Sequence, residues 1–163
     1  WIEAMKEEWK KPEYAEMPLV ATVYGDDQDD KSYREMEGLA KAFPNLRGVI
    51  SPTTIGIRAG AKAIIDGGLV GKIYITGLGL PSEMKDAVLK GACDTFAIWN
   101  PVDYGYASTQ IMINILNGAE AGPGSTVKMG RMGETTVGDD GQAAMGDPFT
   151  FDKSNVEEFA KIF

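Results

Sequence analysis

Short apolar runs rich in β-branched residues alternate with longer amphipathic stretches in the first hundred residues. The runs predict strands at Leu19–Tyr24, Leu46–Ser51, Lys72–Thr76 and Thr95–Trp99. Each ends in a polar loop that opens a helix, and helices are predicted over Lys31–Phe43, from Thr53 or Thr54 to Ile65, from Ser82 to Lys90 and from about Asp103 to Leu116. Such alternation is typical of a parallel sheet covered by helices. We therefore predict an α/β fold, a three-layer sandwich with a mainly parallel, Rossmann-like sheet.

Capping residues and turn signals refine these predictions. An amphipathic helix is predicted at Trp1–Lys10, and Asp29 or Asp30, Ser82 and Ser154 are candidate helix caps. Glycine becomes frequent after Asn117, with strand-like pieces that predict a hairpin or meander (Ser125–Met129 and Glu134–Val137), a last strand (Phe149–Phe151) and a terminal helix (Asn155–Ile162). No repeat or linker indicates a second domain.

Composition excludes several classes of function. The formal net charge of −8 argues against a nucleic-acid partner. The chain has no histidine and one cysteine, Cys93, so the commonest general base and a multi-cysteine metal site are both absent. No nucleophile–base pair can be assembled from the loops, and we expect no catalytic residues, no metal and no cofactor. The sequence starts without methionine inside a predicted helix, which indicates a fragment.

Ligands of parallel α/β sheets bind beyond the carboxyl ends of the strands, so the loops there hold the candidate sites. The acidic loop Asp26–Asp30 does not match a calcium-binding EF-hand and is read as a solvated, helix-capping loop. Gly77-Leu78-Gly79 lacks the third glycine of a dinucleotide fingerprint. Those glycines are interpreted as allowing a tight turn beside a ligand or the next helix.

Two other loops carry neutral polar groups beside an aromatic ring. Thr54 in Ser51-Pro52-Thr53-Thr54 offers a hydroxyl, and Asn100 in Trp99-Asn100-Pro101 offers an amide that donates and accepts hydrogen bonds. With the apolar plate of Trp99, they suit an uncharged, polyhydroxylated ligand such as a sugar. The residues alone leave another reading open, in which Thr54 caps its helix, Asn100 forms an Asx turn and Trp99 belongs to the core.

Three long stretches carry a resemblance to a known family: VATVYGDDQDDKSYREMEGLAKAFPNLRGVISPTT, TGLGLPSEMKDAVLKGACDTFAIWNPVDYGY and FDKSNVEEF. The sequence resembles, over nearly its whole length, the C-terminal lobe of type I periplasmic sugar-binding proteins, the extracytoplasmic receptors of ABC importers. The resemblance is to the rhamnose- and autoinducer-2-binding branch. In such proteins two α/β lobes close over a sugar.

The resemblance implies a set of ligand-binding residues. Pro52 and Thr54 would lie in the loop after the second strand, Gly79 and Leu80 in the loop after the third, and Asn100 near the crossover after the fourth. Trp99 would contribute apolar contact or hinge packing. Autoinducer-2 receptors carry alanine at the position of Thr54 and aspartate at that of Asn100, which favours the rhamnose-like side. Many relatives have a sugar-contacting aspartate where this chain reads GLGLP.

The resemblance also implies domain organisation and partners. Residues 1–163 would form the C-terminal lobe, with 101–124 crossing to or packing on an N-terminal lobe. The last long helix would then expose Ile111, Met112, Ile115 and Leu116, so the fragment alone is expected to self-associate or exchange elements. The partners would be a sugar and a membrane permease. The location would be periplasmic, or extracellular and membrane-anchored as a lipoprotein, with the signal outside this sequence. The alternative is the effector domain of a sugar-responsive transcription repressor.

Overall fold

Helices and strands alternate from residue 29 to residue 116, as the hydrophobic pattern predicts for that part of the chain. The computed structural model describes all 163 residues. Its helices are α1 (Ile2–Glu8), α2 (Asp29–Ala42), α3 (Thr54–Asp66), α4 (Pro81–Leu89), α5 (Pro101–Leu116) and α6 (Val156–Phe159). Its strands are β1 (Gly48–Ser51), β2 (Tyr74–Gly77), β3 (Phe96–Ile98), β4 (Thr126–Lys128), β5 (Glu134–Thr136) and β6 (Phe149–Phe151). Single 3₁₀ turns occur at Pro12–Tyr14 and Gly130–Met132.

The chain divides into two units, and one of them is built from two separate segments. The first unit comprises Trp1–Ala97 and Thr150–Phe163, and the second comprises Ile98–Phe149. No helix combines the length and the apolar character that crossing a bilayer requires.

Parallel pairing dominates the first unit. β1 pairs with β2 in parallel, from Gly48 opposite Tyr74 to Ser51 opposite Gly77. A parallel bridge between Leu78 and Ala97 joins the end of β2 to β3, and β6 pairs with β3. The predicted α/β class with a parallel sheet is therefore confirmed.

Helix α3 forms the centre of the first unit's core. Its buried face is made mainly of small residues and isoleucines: Ile57, Ala59, Gly60, Ala61, Ala63 and Ile64. A Cβ on Gly60 would lie 2.6 Å from Cδ1 of Ile75 in β2, so any larger residue there would require the isoleucine side chain to shift. A second part of this core is aromatic, where the rings of Phe96 and Phe151 stack with centroids 5.2 Å apart.

The second unit consists of α5 and the antiparallel hairpin β4–β5. Thr126 pairs with Thr136 and Lys128 with Glu134, so the predicted hairpin is confirmed. Asn114 of α5 donates from Nδ2 to the Lys128 carbonyl at 2.9 Å, which attaches the helix to the hairpin. Only Ala107 of α5 is buried.

Two kinds of local prediction were wrong. Leu19–Tyr24 is not a strand: no ladder partner pairs with it, and the side chains of Leu19, Val20, Val23 and Tyr24 are exposed. The pattern indicates β propensity, but a strand also needs a neighbouring strand, which local sequence does not specify.

Three predicted caps were also wrong, because each helix begins at a different residue from the one expected. Asp29 is already the first residue of α2, after Gln28, and its carboxylate binds Arg58. Pro81 sets the start of α4 before Ser82. The backbone N–H and the hydroxyl of Ser154 both bind Asp152 Oδ1, and α6 begins after Asn155.

Candidate ligand-binding site

The carboxyl ends of β1 and β2 lie at one edge of the sheet because the strands are parallel. The Leu78 N–H donates to the Ser51 carbonyl at 3.0 Å, which continues the pairing past the last strand residue. Gly77 has a φ of +139°, and a Cβ there would lie 1.8 Å from the Ser51 carbonyl oxygen. Only glycine therefore allows the two loops to leave the sheet this close together.

One arginine near the start of α3 is bonded to the first turns of α2 and α4. Arg58, in the second turn of α3, donates to Asp29 Oδ1 of α2 at 3.0 Å and to Glu83 Oε2 of α4 at 2.9 Å. Asp29 is the first residue of its helix and Glu83 the third. The hydrogen bond with Asp29 is the main reason why the pKa of Arg58 is raised. The N-terminal turns of α2, α3 and α4 thus lie side by side.

Thr53 and Thr54, in the loop after β1, have different structural roles. Thr53 caps α3, because its Oγ1 accepts the Gly56 N–H at 3.0 Å. Thr54 is the first residue of α3, is half-buried, and its hydroxyl takes no part in this cap. Pro52 is half-buried between β1 and the cap. The capping function left open between the threonines thus belongs to Thr53.

The loop after β2 contains one packing residue and one helix boundary. The Gly79 N–H donates to the Ala97 carbonyl at 3.1 Å, and a Cβ on Gly79 would lie 2.8 Å from Met84 Cγ and 3.0 Å from Ile57 Cγ2. Gly79 therefore allows close packing against α3 and α4, as expected if the glycine lies beside the next helix. Leu80 is the half-buried N-cap residue of α4.

Trp99 and Asn100 belong to the second unit. Asn100 caps α5 by accepting the Val102 N–H on Oδ1 at 2.9 Å. This bond uses the acceptor end of the amide only. The half-buried Trp99 donates from Nε1 to the Gly146 carbonyl at 2.7 Å. The structure therefore places Pro52, Thr54, Gly79 and Leu80 in the first unit and Trp99 and Asn100 in the second.

Sequence reasoning missed Arg58 and assigned capping to the acidic loop. The ion-pair partners of Arg58 lie 29 and 25 positions away, so no local pattern could indicate them. In the acidic loop, Asp26 pairs with Lys31, and Asp26 and Asp27 have φ values of +51° and +55°. Residues 26–28 therefore form a turn before α2, Asp29 and Asp30 are its first two residues, and none of the five provides a side-chain cap for the helix.

Comparison with known proteins gives a consistent set of relatives. The family profile described as "Periplasmic binding protein domain" matches residues 1–120. A sugar ABC transporter protein from Actinomyces odontolyticus is 37% identical with a TM-score of 0.83, over 98% of this chain and 52% of its own. A solute-binding protein from Clostridium phytofermentas with bound L-rhamnose is 35% identical with a TM-score of 0.85, over 100% of this chain and 55% of its own.

A third relative shares the fold at low identity. LsrB from Clostridium saccharobutylicum in complex with AI-2 is 18% identical with a TM-score of 0.81, over 96% of this chain and 53% of its own. The chain thus spans about half the length of each of these solved proteins.

Proposed function

Since this chain belongs to the periplasmic binding protein domain family, we propose that it forms the C-terminal lobe of a two-lobe receptor that captures a neutral sugar for an ABC importer. The observation that carries the proposal is the match over the whole chain to a protein holding L-rhamnose, at 35% identity. The two relatives described above at 37% and 35% identity are named for transport, which favours a receptor over a repressor. Their length, nearly twice that of this chain, supports a second lobe.

The chemistry of the candidate residues supports an uncharged, hydroxyl-rich ligand. Thr54 keeps a hydroxyl outside the α3 cap, and Asn100 keeps its amide donors outside the α5 cap. Both groups are neutral hydrogen-bonding groups suited to sugar hydroxyls. In the proposed site they bind the sugar, Pro52 and Leu80 shape the two loops, and Gly79 allows the second loop to pack. The rhamnose-like class is preferred over the autoinducer-2 class because of the residues at 54 and 100.

Capture would proceed by closure of the two lobes around the sugar, after which a membrane permease receives the closed receptor. The protein would then work in the periplasm or outside the membrane. No catalytic step is needed for this function, and turnover of a bound sugar by the purified protein would contradict the proposal.

The direct test is a thermal-shift screen followed by calorimetry on this chain joined to its N-terminal lobe. The panel contains L-rhamnose, other deoxyhexoses, pentoses, hexoses and autoinducer-2. L-Rhamnose or a close relative should raise the melting temperature and bind with one site per molecule. Thr54→Val should weaken that binding, while Thr136→Val, in the hairpin, should not. If no sugar of the panel binds, the proposed function is wrong.

A further inference from the structure

Arg58 lies one helical turn after a proposed sugar-binding residue. Thr54 and Arg58 are four positions apart in α3, and side chains at this spacing lie on the same face of a helix. Thr54 is the first residue of α3, so Arg58 directly follows the turn that carries its hydroxyl. A contact that holds Arg58 in place therefore acts on the helix next to Thr54.

The partners of Arg58 lie in the first turns of the two neighbouring helices. Glu83, which accepts from Nη1 at 2.9 Å, is three positions after Leu80, the N-cap residue of α4. Asp29, which accepts from Nη2 at 3.0 Å, is the first residue of α2. Because the guanidinium is planar and rigid, one group sets both contacts at once. The starts of α3 and α4 are thus joined one turn away from Thr54 and Leu80.

The exposure of these ion pairs suits them to positioning more than to stabilising the fold. The side chains of Arg58, Asp29 and Glu83 are 40%, 55% and 32% exposed, and ion pairs this accessible to water contribute little to stability. The hydrogen bond between Leu78 and Ser51 joins the bases of the two loops, and the arginine joins the helices that leave them. The two contacts together define the spacing of the loops.

We propose that Arg58 is a positioning residue of the sugar site, which holds the first turns of α3 and α4 at a fixed spacing so that Thr54 and Leu80 meet the sugar without rearrangement. The inference rests on the proposed receptor function, and Arg58 itself does not contact the sugar. A site that is already ordered loses less conformational entropy when the ligand binds. Loosening the spacing should therefore weaken sugar binding.

The first measurement is calorimetry with L-rhamnose on the chain joined to its N-terminal lobe. Arg58→Met removes both ion pairs and keeps an unbranched side chain. It should lower the affinity about 3- to 10-fold, and it should lower the melting temperature by no more than about 4 °C. Arg58→Lys can restore one of the two contacts and should recover part of the lost affinity. A structural role alone would not produce this graded recovery at nearly constant stability.

The matched control is Lys62→Met, which removes another cation of α3. Lys62 lies one turn after Arg58 and forms an ion pair with Asp66 of the same helix, away from the starts of α3 and α4. The control should leave the affinity for L-rhamnose unchanged. Undiminished affinity in Arg58→Met, or an equal loss in both variants, overturns the proposal.

Hydrogen exchange on the same two-lobe protein without sugar supplies an independent readout. The amides of Gly56 in α3 and Met84 in α4 are both hydrogen-bonded to the N-cap residue of their helix. Both should exchange about 2- to 10-fold faster in Arg58→Met, because the first turns open more often when their spacing is not held. Lys62→Met should leave both rates unchanged. Unchanged exchange in Arg58→Met also overturns the proposal.

Glu83→Gln covers the case in which Arg58→Met fails to fold. It keeps a hydrogen-bond acceptor but removes the charge of the partner in α4, so the affinity should fall by a smaller factor, and an undiminished affinity then overturns the proposal. The two proposals fail in distinguishable ways. If the unsubstituted protein binds no sugar, the proposed function is wrong and the role of Arg58 at a sugar site falls with it. If it binds sugar and Arg58→Met binds equally well, only the role of Arg58 is wrong.

Discussion

Asn100 has an acceptor end and a donor end, and the fold uses only the acceptor. Its Oδ1 caps α5, which leaves the Nδ2 donors for the proposed sugar. Asn100→Asp keeps the acceptor and removes the donors, and aspartate caps helices as well as asparagine does. We expect unchanged thermal stability and a loss of about 1–3 kcal/mol in sugar affinity, measured by calorimetry on the two-lobe protein.

The matched variant Asn100→Ala removes both the Oδ1 acceptor and the Nδ2 donors. It should lose the same affinity and also about 1 kcal/mol of folding stability, because the cap is gone. Undiminished affinity in Asn100→Asp would show that residue 100 is a structural cap only.

In the loop after β1, capping and proposed sugar binding belong to two different residues, Thr53 and Thr54, so each role can be tested by its own substitution. Thr53→Ala should lower the free energy of unfolding by about 1 kcal/mol, because Thr53 caps α3. Thr54→Val should change the free energy of unfolding by no more than about 0.5 kcal/mol, because the Thr54 hydroxyl is outside the cap. Urea unfolding of both variants measures the difference, and a larger cost at Thr54 than at Thr53 would contradict the assignment of roles.

Cys93 should be inert in the folded chain. Burial raises the pKa of its thiol to about 12, and the neighbouring Asp94 carboxylate adds to the shift. Since the thiolate is the reactive species, modification by a disulfide reagent at pH 8 should be slower than in denaturant by a factor on the order of 100 or more. Absorbance of the released thiol reports the rate, and comparable rates in both states would mean that Cys93 is accessible.

Elements were predictable where one segment alone determines them. The periodic apolar positions of α2, α3 and α5 placed these helices within a few residues of their observed bounds, because helical hydrogen bonds are local. The apolar, β-branched run Leu19–Tyr24 predicts a strand as clearly as the runs that became β1 and β2. It nevertheless pairs with no other strand, because pairing depends on residues far away in sequence. The same limit applies to the site: the sequence located the loops, but the division of roles between Thr53 and Thr54 depends on a hydrogen-bond geometry that composition does not encode.

Helix α5 presents an apolar surface that the chain does not bury. Val102, Met112, Ile113, Ile115 and Leu116 are all exposed, and Leu116 is 80% exposed. Asp103 is the only charged residue in its 16 positions, so the net charge of −8 is carried elsewhere and hardly opposes contact between two such helices. A second copy of this chain is therefore the expected occupant of this surface when the chain is alone.

Light scattering tests this expectation. The average molar mass in solution should rise with protein concentration as the chain associates. A double variant, Met112→Lys with Leu116→Lys, should remain a monomer. The matched control is Ile162→Lys, which changes an exposed apolar residue of the first unit and should not affect association. A chain that stays monomeric at high concentration would contradict the prediction.

At the scale of the whole molecule, the two units have unequal cores. The buried apolar residues of the second unit are few, namely Ala107, Val127, Met129 and Val137, whereas the first unit buries most of α3 and the Phe96–Phe151 pair. A short segment that buries so little apolar surface does not offset its conformational entropy. We predict that residues 98–149 alone do not fold cooperatively.

The first unit should fold without the second. β3 and β6 are paired neighbours, so a short glycine-rich linker can join Ala97 to Thr150 and replace residues 98–149. This shortened chain should keep its helical circular dichroism and unfold in one cooperative urea transition, because α3, β2 and the phenylalanine cluster are all retained. If it is unfolded, while residues 98–149 alone unfold cooperatively, then the core that stabilises the molecule lies in the second unit and this division of stability is wrong.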